Sequence, residues 1–84
     1  MINPIRVLLI DDELSFRDGM SSSLKKEGFV VFEAGTYNQA KAIVKRQKGL
    51  IDVSIIDYKL GPPNGITIMN ELRNEVPSIQ TIIL

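Results

Sequence analysis

Residues 52–65, DVSIIDYKLGPPNG, decide the fold of this chain. The apolar, β-branched residues 53–56 are typical of a short strand that is buried on both faces of a sheet. The glycines and prolines of residues 61–65 indicate a turn. Asp57 therefore stands at the point where a buried strand gives way to a loop.

A second acidic position of this kind lies upstream. Residues 5–10, IRVLLI, are nearly continuous in Val, Leu and Ile and lead directly into Asp11, Asp12 and Glu13. Parallel strands in an open α/β sheet present their carboxyl ends, and any ligand, at one edge. We therefore expect the carboxylates of Asp11, Asp12 and Asp57 to meet at one edge of a sheet.

The whole chain alternates between strand and helix patterns, which predicts an α/β domain with a doubly wound parallel sheet. In a flavodoxin-like strand order, 2-1-3-4, the order reverses between strands 1 and 3, where ligands bind. Those are the two strands that end in acid. Strands are predicted over residues 5–10, 29–33, 52–56 and 79–84, and helices over residues 15–27, 36–49 and 64–76.

Helix starts and packing faces are also predicted from the residue pattern. Ser15 with Asp18, and Thr36 with Gln39, resemble capping boxes, and Gly28 suits the end of the first helix. We expect the first helix to bury three apolar residues at four-residue spacing: Phe16, Met20 and Leu24.

The composition limits the classes of function. A chain of 84 residues forms one small domain, residues 1–84, and its 10 basic residues balance its 10 acidic ones. This balance predicts no nucleic-acid partner, for which a basic face is expected. The absence of cysteine and histidine excludes thiolate and imidazole metal sites. Without a signal peptide or a membrane-length apolar run, we expect no membrane association and a cytoplasmic location.

The acidic cluster predicts a metal site. Clustered carboxylates repel one another unless a cation neutralises them. A site built only from oxygen ligands suits a hard ion, and Mg²⁺ typically keeps several waters and shares its shell with phosphate. We therefore predict that Asp11, Asp12 and Asp57 bind Mg²⁺.

Two segments, LLIDDE at residues 8–13 and IIDYKLGPPNG at residues 55–65, resemble the receiver domain of bacterial two-component response regulators. An acidic pair after the first strand, a lone Asp57 after the third, and a turn ending at Gly65 follow in the family's order. The segment EAGTYNQA, residues 33–40, is also similar to that family.

The resemblance implies that Asp57 is the phosphoacceptor, a carboxylate nucleophile that takes a phosphoryl group from a sensor histidine kinase or a phosphotransfer protein. Asp12 and Asp57 would bind Mg²⁺ directly, Asp11 mainly through water, and Lys59 through its backbone carbonyl. The implied activity is at most self-phosphorylation from a phosphohistidine donor and autodephosphorylation, rather than that of a conventional enzyme.

The resemblance also implies truncation before the fifth strand. The family places a Ser or Thr after the fourth strand and a Lys after the fifth, and this sequence stops at Leu84. We therefore expect an N-terminal fragment of a receiver domain. Its apolar fourth strand, residues 79–84, would be an exposed edge, through which we expect a homodimer.

Several alternatives remain open from sequence. The chain could be a receiver-like interaction module that keeps the fold but is not phosphorylated in this truncated form. A small phosphatase or a flavodoxin fits less well, because the first strand is followed neither by Asp-x-Asp nor by a Ser/Thr/Gly-rich phosphate loop. The acids at residues 11–13 could simply begin a helix, and Asp57 could simply cap a turn.

Overall fold

The computed structural model describes residues 3–84, and its four strands form one parallel sheet in the order β2-β1-β3-β4. The predicted doubly wound α/β fold and its strand order are confirmed. No helix of the described residues is long and apolar enough to cross a bilayer. In chain order the elements are β1 (Arg6–Ile10), α1 (Leu14–Lys26), β2 (Val30–Ala34), α2 (Tyr37–Arg46), β3 (Val53–Ile56), α3 (Gly65–Glu75) and β4 (Gln80–Ile83).

The central strand β1 is buried on both faces from Val7 onward, as the apolar run of residues 7–10 predicts. Successive side chains of a strand point to opposite faces, so β1 contributes to two cores. Leu8 and Ile10 face the larger core with α2 and α3, while Val7 and Leu9 face the smaller core with α1. All four are at most 2% exposed.

The two faces of the sheet are covered unequally. Helices α2 and α3 pack across one face, whereas α1 lies over β1 and β2 on the other. Within residues 3–84 no helix covers the β3–β4 side of that second face. Ile82, which pairs in register with Ile55, is consequently 50% exposed.

The predicted apolar stripe of α1 is only partly correct. Met20 and Leu24 pack against the smaller core, but Phe16 is 45% exposed. Phe16 lies in the first turn of α1, beyond the carboxyl ends of the strands, where it lines a groove together with Leu84. Its role in core packing was therefore predicted wrongly.

The first capping prediction is also wrong, and the second is confirmed. Helix α1 begins at Leu14, and its N-cap Glu13 makes no side-chain capping bond, so Ser15 lies inside the helix. The Thr36 side chain does cap α2, accepting a hydrogen bond from the Gln39 N–H at 3.1 Å. The amide oxygen of Gln39 accepts from the Gly35 N–H at 2.7 Å.

Positive φ angles explain where two helices end. Gly28 follows α1 with φ 94°, a backbone conformation that glycine adopts without strain. Helix α2 ends at Arg46, three residues before the predicted end, because Lys48 and Gly49 leave the helical region with φ 56° and 73°. Helix α3 stops before Pro77, as the sequence predicts.

Gly65, the first residue of α3, allows this helix to approach the end of β3 closely. A Cβ atom at this position would lie 3.1 Å from the Asp57 carbonyl oxygen and 3.3 Å from the Tyr58 Cα. Both neighbours are backbone atoms, which cannot move aside as a side-chain end can. Gly65 was expected only to form a turn, but the structure gives it a packing role.

We predict that Gly65→Ala destabilises the fold by about 1–3 kcal/mol, because the added methyl group overpacks this contact. Gly19→Ala is the matched control. No atom lies within 4 Å of the Cβ that would be added there, in the middle of α1, so helix propensity should raise the stability by about 1 kcal/mol. Urea unfolding of both variants checks the prediction, and equal effects of the two substitutions would contradict it.

Candidate functional site

The register of the sheet brings two acidic residues to neighbouring positions. Ile10 of β1 lies opposite Ile56 of β3, so the residues that follow, Asp11 and Asp57, come side by side. The Asp57 N–H donates to the Ile10 carbonyl at 3.0 Å, which continues the pairing of the two strands past their ends. Asp11 and Asp57 therefore meet at the edge of the sheet that the sequence predicted.

Three polar atoms of Asp11 make hydrogen bonds that hold it in place, and the residue is only 5% exposed. Its N–H donates to the Ala34 carbonyl of β2 at 3.0 Å. Its Oδ1 accepts from the Glu13 N–H at 2.9 Å, and its carbonyl oxygen accepts from Arg17 Nη1 at 2.8 Å. Asp11 is consequently fixed to β2, to the start of α1 and to a side chain of α1.

Asp57 is half-buried, and a local turn orients its carboxylate. Its Oδ1 accepts from the Lys59 N–H at 3.0 Å, and its carbonyl accepts from the Leu60 N–H at 3.1 Å. Asp12, in contrast, is exposed. The turn leaves Asp57 Oδ2 available, because Oδ1 alone is engaged by the Lys59 backbone.

The three carboxylates form one cluster. Asp11, Asp12 and Asp57 each offer an oxygen atom, and these atoms all lie within 4.8 Å of one another. No ion pair within residues 3–84 involves any of the three, since the nearby Arg17 pairs with Glu33 instead. No cationic side chain of the described residues therefore pairs with the cluster, which leaves its carboxylates open to an external cation.

The donor set fits Mg²⁺. Ligands on opposite sides of an octahedral Mg²⁺ shell lie about 4.2 Å apart, twice the usual metal–oxygen distance. A spread of up to 4.8 Å suits an ion that touches some of these carboxylates directly and another through water. Where the Lys59 carbonyl stands toward such an ion stays a prediction.

An open groove of about 590 Å³ leads to this cluster. Its lining combines polar and apolar side chains, so a partner can reach the Asp57 carboxylate while packing against hydrophobic side chains. The polar lining residues are Asp11, Glu13, Asp57 and Lys59, and the apolar and aromatic ones are Phe16, Tyr58, Ile83 and Leu84.

A smaller cavity of about 220 Å³ lies on the other side of Asp12, beside Tyr37 and the loop before α3. Burial raises the pKa of Tyr37, and the nearby Glu71 and Glu75 carboxylates raise it further. The phenol therefore stays neutral at pH 7 and adds no charge to the acidic cluster.

Sequence reasoning missed two components of the site. It gave no role to Arg17, although this is the first cation after the acidic residues 11–13. It also assigned no function to Tyr58, whose N–H donates to the Leu84 carbonyl at 2.8 Å and whose side chain is 60% exposed. The predicted strand order already placed the end of β4 beside β3, but only the three-dimensional structure shows the hydrogen bond between Tyr58 and Leu84.

Comparison with known proteins identifies the family. The profile of the response regulator receiver domain matches residues 7–84. The alginate biosynthesis transcriptional regulatory protein AlgB of Pseudomonas aeruginosa is 32% identical over 79 residues, which are 94% of this chain and 17% of AlgB. The sensor kinase CckA of Brucella abortus is 32% identical over 78 residues, 93% of this chain and 8% of that protein.

A solved structure gives the same result for the fold. The response regulator receiver domain protein of Clostridium thermocellum superposes with a TM-score of 0.87 at 28% identity, covering 94% of this chain and 63% of that one. The chain thus spans less than two thirds of the length of this structural relative and a smaller share of the two sequence relatives. The acidic residues lie at the edge of the sheet where the sequence predicted them. Because the family profile matches residues 7–84, this chain belongs to the response regulator receiver domain family.

Proposed function

We propose that this chain is a phosphoacceptor domain in which Asp57 receives a phosphoryl group from a phosphohistidine, with Mg²⁺ bound at the acidic cluster. The observation that carries the proposal is the meeting of Asp11, Asp12 and Asp57 within 4.8 Å at the end of an accessible groove. Family membership supports it, because two-component receiver domains work with histidine kinases.

In the proposed step, an oxygen of the Asp57 carboxylate attacks phosphorus and forms an acyl phosphate. The phosphorus–nitrogen bond of the donor breaks, and its electron pair returns to the imidazole ring. The Lys59 N–H holds Asp57 Oδ1 in place, which leaves Oδ2 to act as the nucleophile.

Mg²⁺ would neutralise charge on the transferring oxygens. We propose Asp12 and Asp57 as direct ligands, the buried Asp11 as a ligand through water, and the Lys59 carbonyl as a further ligand. The buried position of Asp11 and its bond to the Glu13 N–H support this assignment, because one of its oxygens is already engaged.

The groove suggests how the donor protein approaches. Phe16 and Leu84 are 45% and 53% exposed, and they lie within reach of a partner that presents its phosphohistidine to Asp57. We propose a sensor histidine kinase or a phosphotransfer protein as this partner, and a cytoplasmic location, where kinases obtain ATP. The 10:10 charge balance supports no nucleic-acid contact by this chain.

We also propose that the 84-residue chain associates with a second copy through the outer edge of β4. β4 pairs with β3 on one side, and no strand of residues 3–84 pairs with its other side. Residues 79–84 carry no charged side chain, and antiparallel pairing keeps the two C-terminal carboxylates at opposite ends of the contact, so two copies pair without close repulsion. Such a contact is symmetric and closes at two chains.

Magnesium binding should appear in the stability of the protein. At ten times its dissociation constant, Mg²⁺ should raise the free energy of unfolding by about 1.4 kcal/mol. Asp12→Asn should remove this increase, while slightly stabilising the metal-free protein because it removes a like charge. Asp18→Asn, an exposed residue of α1, is the matched control and should leave the increase intact. Thermal unfolding with and without Mg²⁺ is the measurement.

Phosphorylation should depend on Asp57. Incubation with Mg²⁺ and a small-molecule phosphodonor should add the mass of one phosphoryl group, and Asp57→Asn should prevent the addition. Asp18→Asn should be phosphorylated as the unaltered chain is. Intact-mass spectrometry is the measurement, and an unmodified wild-type chain would favour the interaction module that keeps the fold without phosphoryl transfer.

The edge contact should be sensitive to charge on β4. We expect the 84-residue chain to be dimeric in light scattering, and Ile82→Lys to be monomeric, because the substitution brings two positive charges into the short edge contact. Ile66→Lys is the matched control, since Ile66 is 43% exposed and belongs to α3 rather than to the β4 strand. A monomeric wild-type chain at high concentration would refute the proposal.

A further inference from the structure

We infer that Arg17 is a positioning residue for the acidic cluster. Its Nη1 donates to the Asp11 carbonyl oxygen at 2.8 Å. That carbonyl belongs to the peptide group between Asp11 and Asp12, so the guanidinium fixes the direction in which the chain passes from one carboxylate to the next. Arg17 thereby acts on two carboxylates without touching either one.

The surroundings of Arg17 restrict its guanidinium to this position. Nε lies 3.5 Å from Glu33 Oε1, and the side chain is 17% exposed. Nε is buried and has no hydrogen-bond partner, so this ion pair is what compensates its charge. On another side the guanidinium lies against Gly35, where an added Cβ would be only 2.8 Å from Nη1. Arg17 therefore connects the loop after β1 with the loop after β2.

A cation near the site can either neutralise the carboxylates or orient them, and Arg17 does only the second. A cation paired with the carboxylates would neutralise them and compete with a metal ion. Arg17 instead forms its ion pair with Glu33, and its Nη1 donates a hydrogen bond to the Asp11 backbone carbonyl. The acidic cluster is thus oriented by an arginine that pairs with none of its carboxylates.

The test has a metal-free readout and a metal-dependent readout, and the second rests on the proposed function. Without metal, the Glu13 N–H that donates to Asp11 Oδ1 reports the orientation of Asp11. We expect its hydrogen exchange to be roughly tenfold faster in Arg17→Gln and in Gly35→Ala, since either change withdraws Nη1 from the Asp11 carbonyl. Gly35→Ala keeps the arginine and its charge. Asp18→Asn, an exposed position of α1 that takes no part in these contacts, is the control and should keep the Glu13 protection.

Titration with Mg²⁺ alone, followed by calorimetry, gives the second readout. We expect the dissociation constant to rise about tenfold in both Arg17→Gln and Gly35→Ala, the size of effect seen for residues that orient metal ligands. If Arg17 acted only through its charge, Arg17→Gln would bind Mg²⁺ more tightly and Gly35→Ala would be unchanged. Either result overturns the inference.

The remaining outcomes are also decisive. Lower stability of both variants, with normal Glu13 exchange and normal Mg²⁺ affinity, would reduce Arg17 to a structural residue and overturn the inference. If the unaltered protein failed to bind Mg²⁺, the proposed function would fail. The Glu13 exchange rates would still decide whether Arg17 positions Asp11.

Discussion

The in-register parallel pairing of β1 with β3 is the interaction on which the rest of the structure depends. It sets Ile10 opposite Ile56, and the residue that follows each strand is an aspartate. Two like charges at adjacent positions oppose the pairing, so buried apolar contacts must maintain it. A slip by one residue would turn every core side chain of the strand to the wrong face, which is why the hydrophobic pattern specifies the register strongly.

The carboxylates at this edge are oriented mainly by backbone groups rather than neutralised by side chains. The Glu13 N–H holds Asp11, and the Lys59 N–H holds Asp57. Arg17, the nearby cation, is paired with Glu33. Fixed, unneutralised negative charge is what a divalent ion requires, so the same hydrogen bonds that define the geometry also preserve the electrostatic attraction.

Much of this arrangement was predictable from sequence because it follows from strand patterns and from the rule that parallel strands end at one edge. The alternation of elements and the meeting of Asp11, Asp12 and Asp57 are of this kind, whereas the strand order was taken from the flavodoxin-like fold. The exposure of Phe16 was not predictable, because periodicity shows which face of a helix is apolar but not how far the helix extends past the sheet. The close contact at Gly65 depends on the distance between two elements, which no local pattern encodes.

The end of β4 links the sheet edge to the site. The Leu84 N–H donates to the Ile56 carbonyl at 3.0 Å, and the Leu84 carbonyl accepts from the Tyr58 N–H at 2.8 Å, so these bonds bracket Asp57 in the chain. Leu84 also lines the groove that leads to the Asp57 carboxylate. Any binding event that changes the pairing of β4 with β3 therefore changes the backbone on both sides of Asp57. By linkage, a ligand at the acidic cluster whose affinity depends on this backbone alters the free energy of the β4–β3 pairing by the same amount.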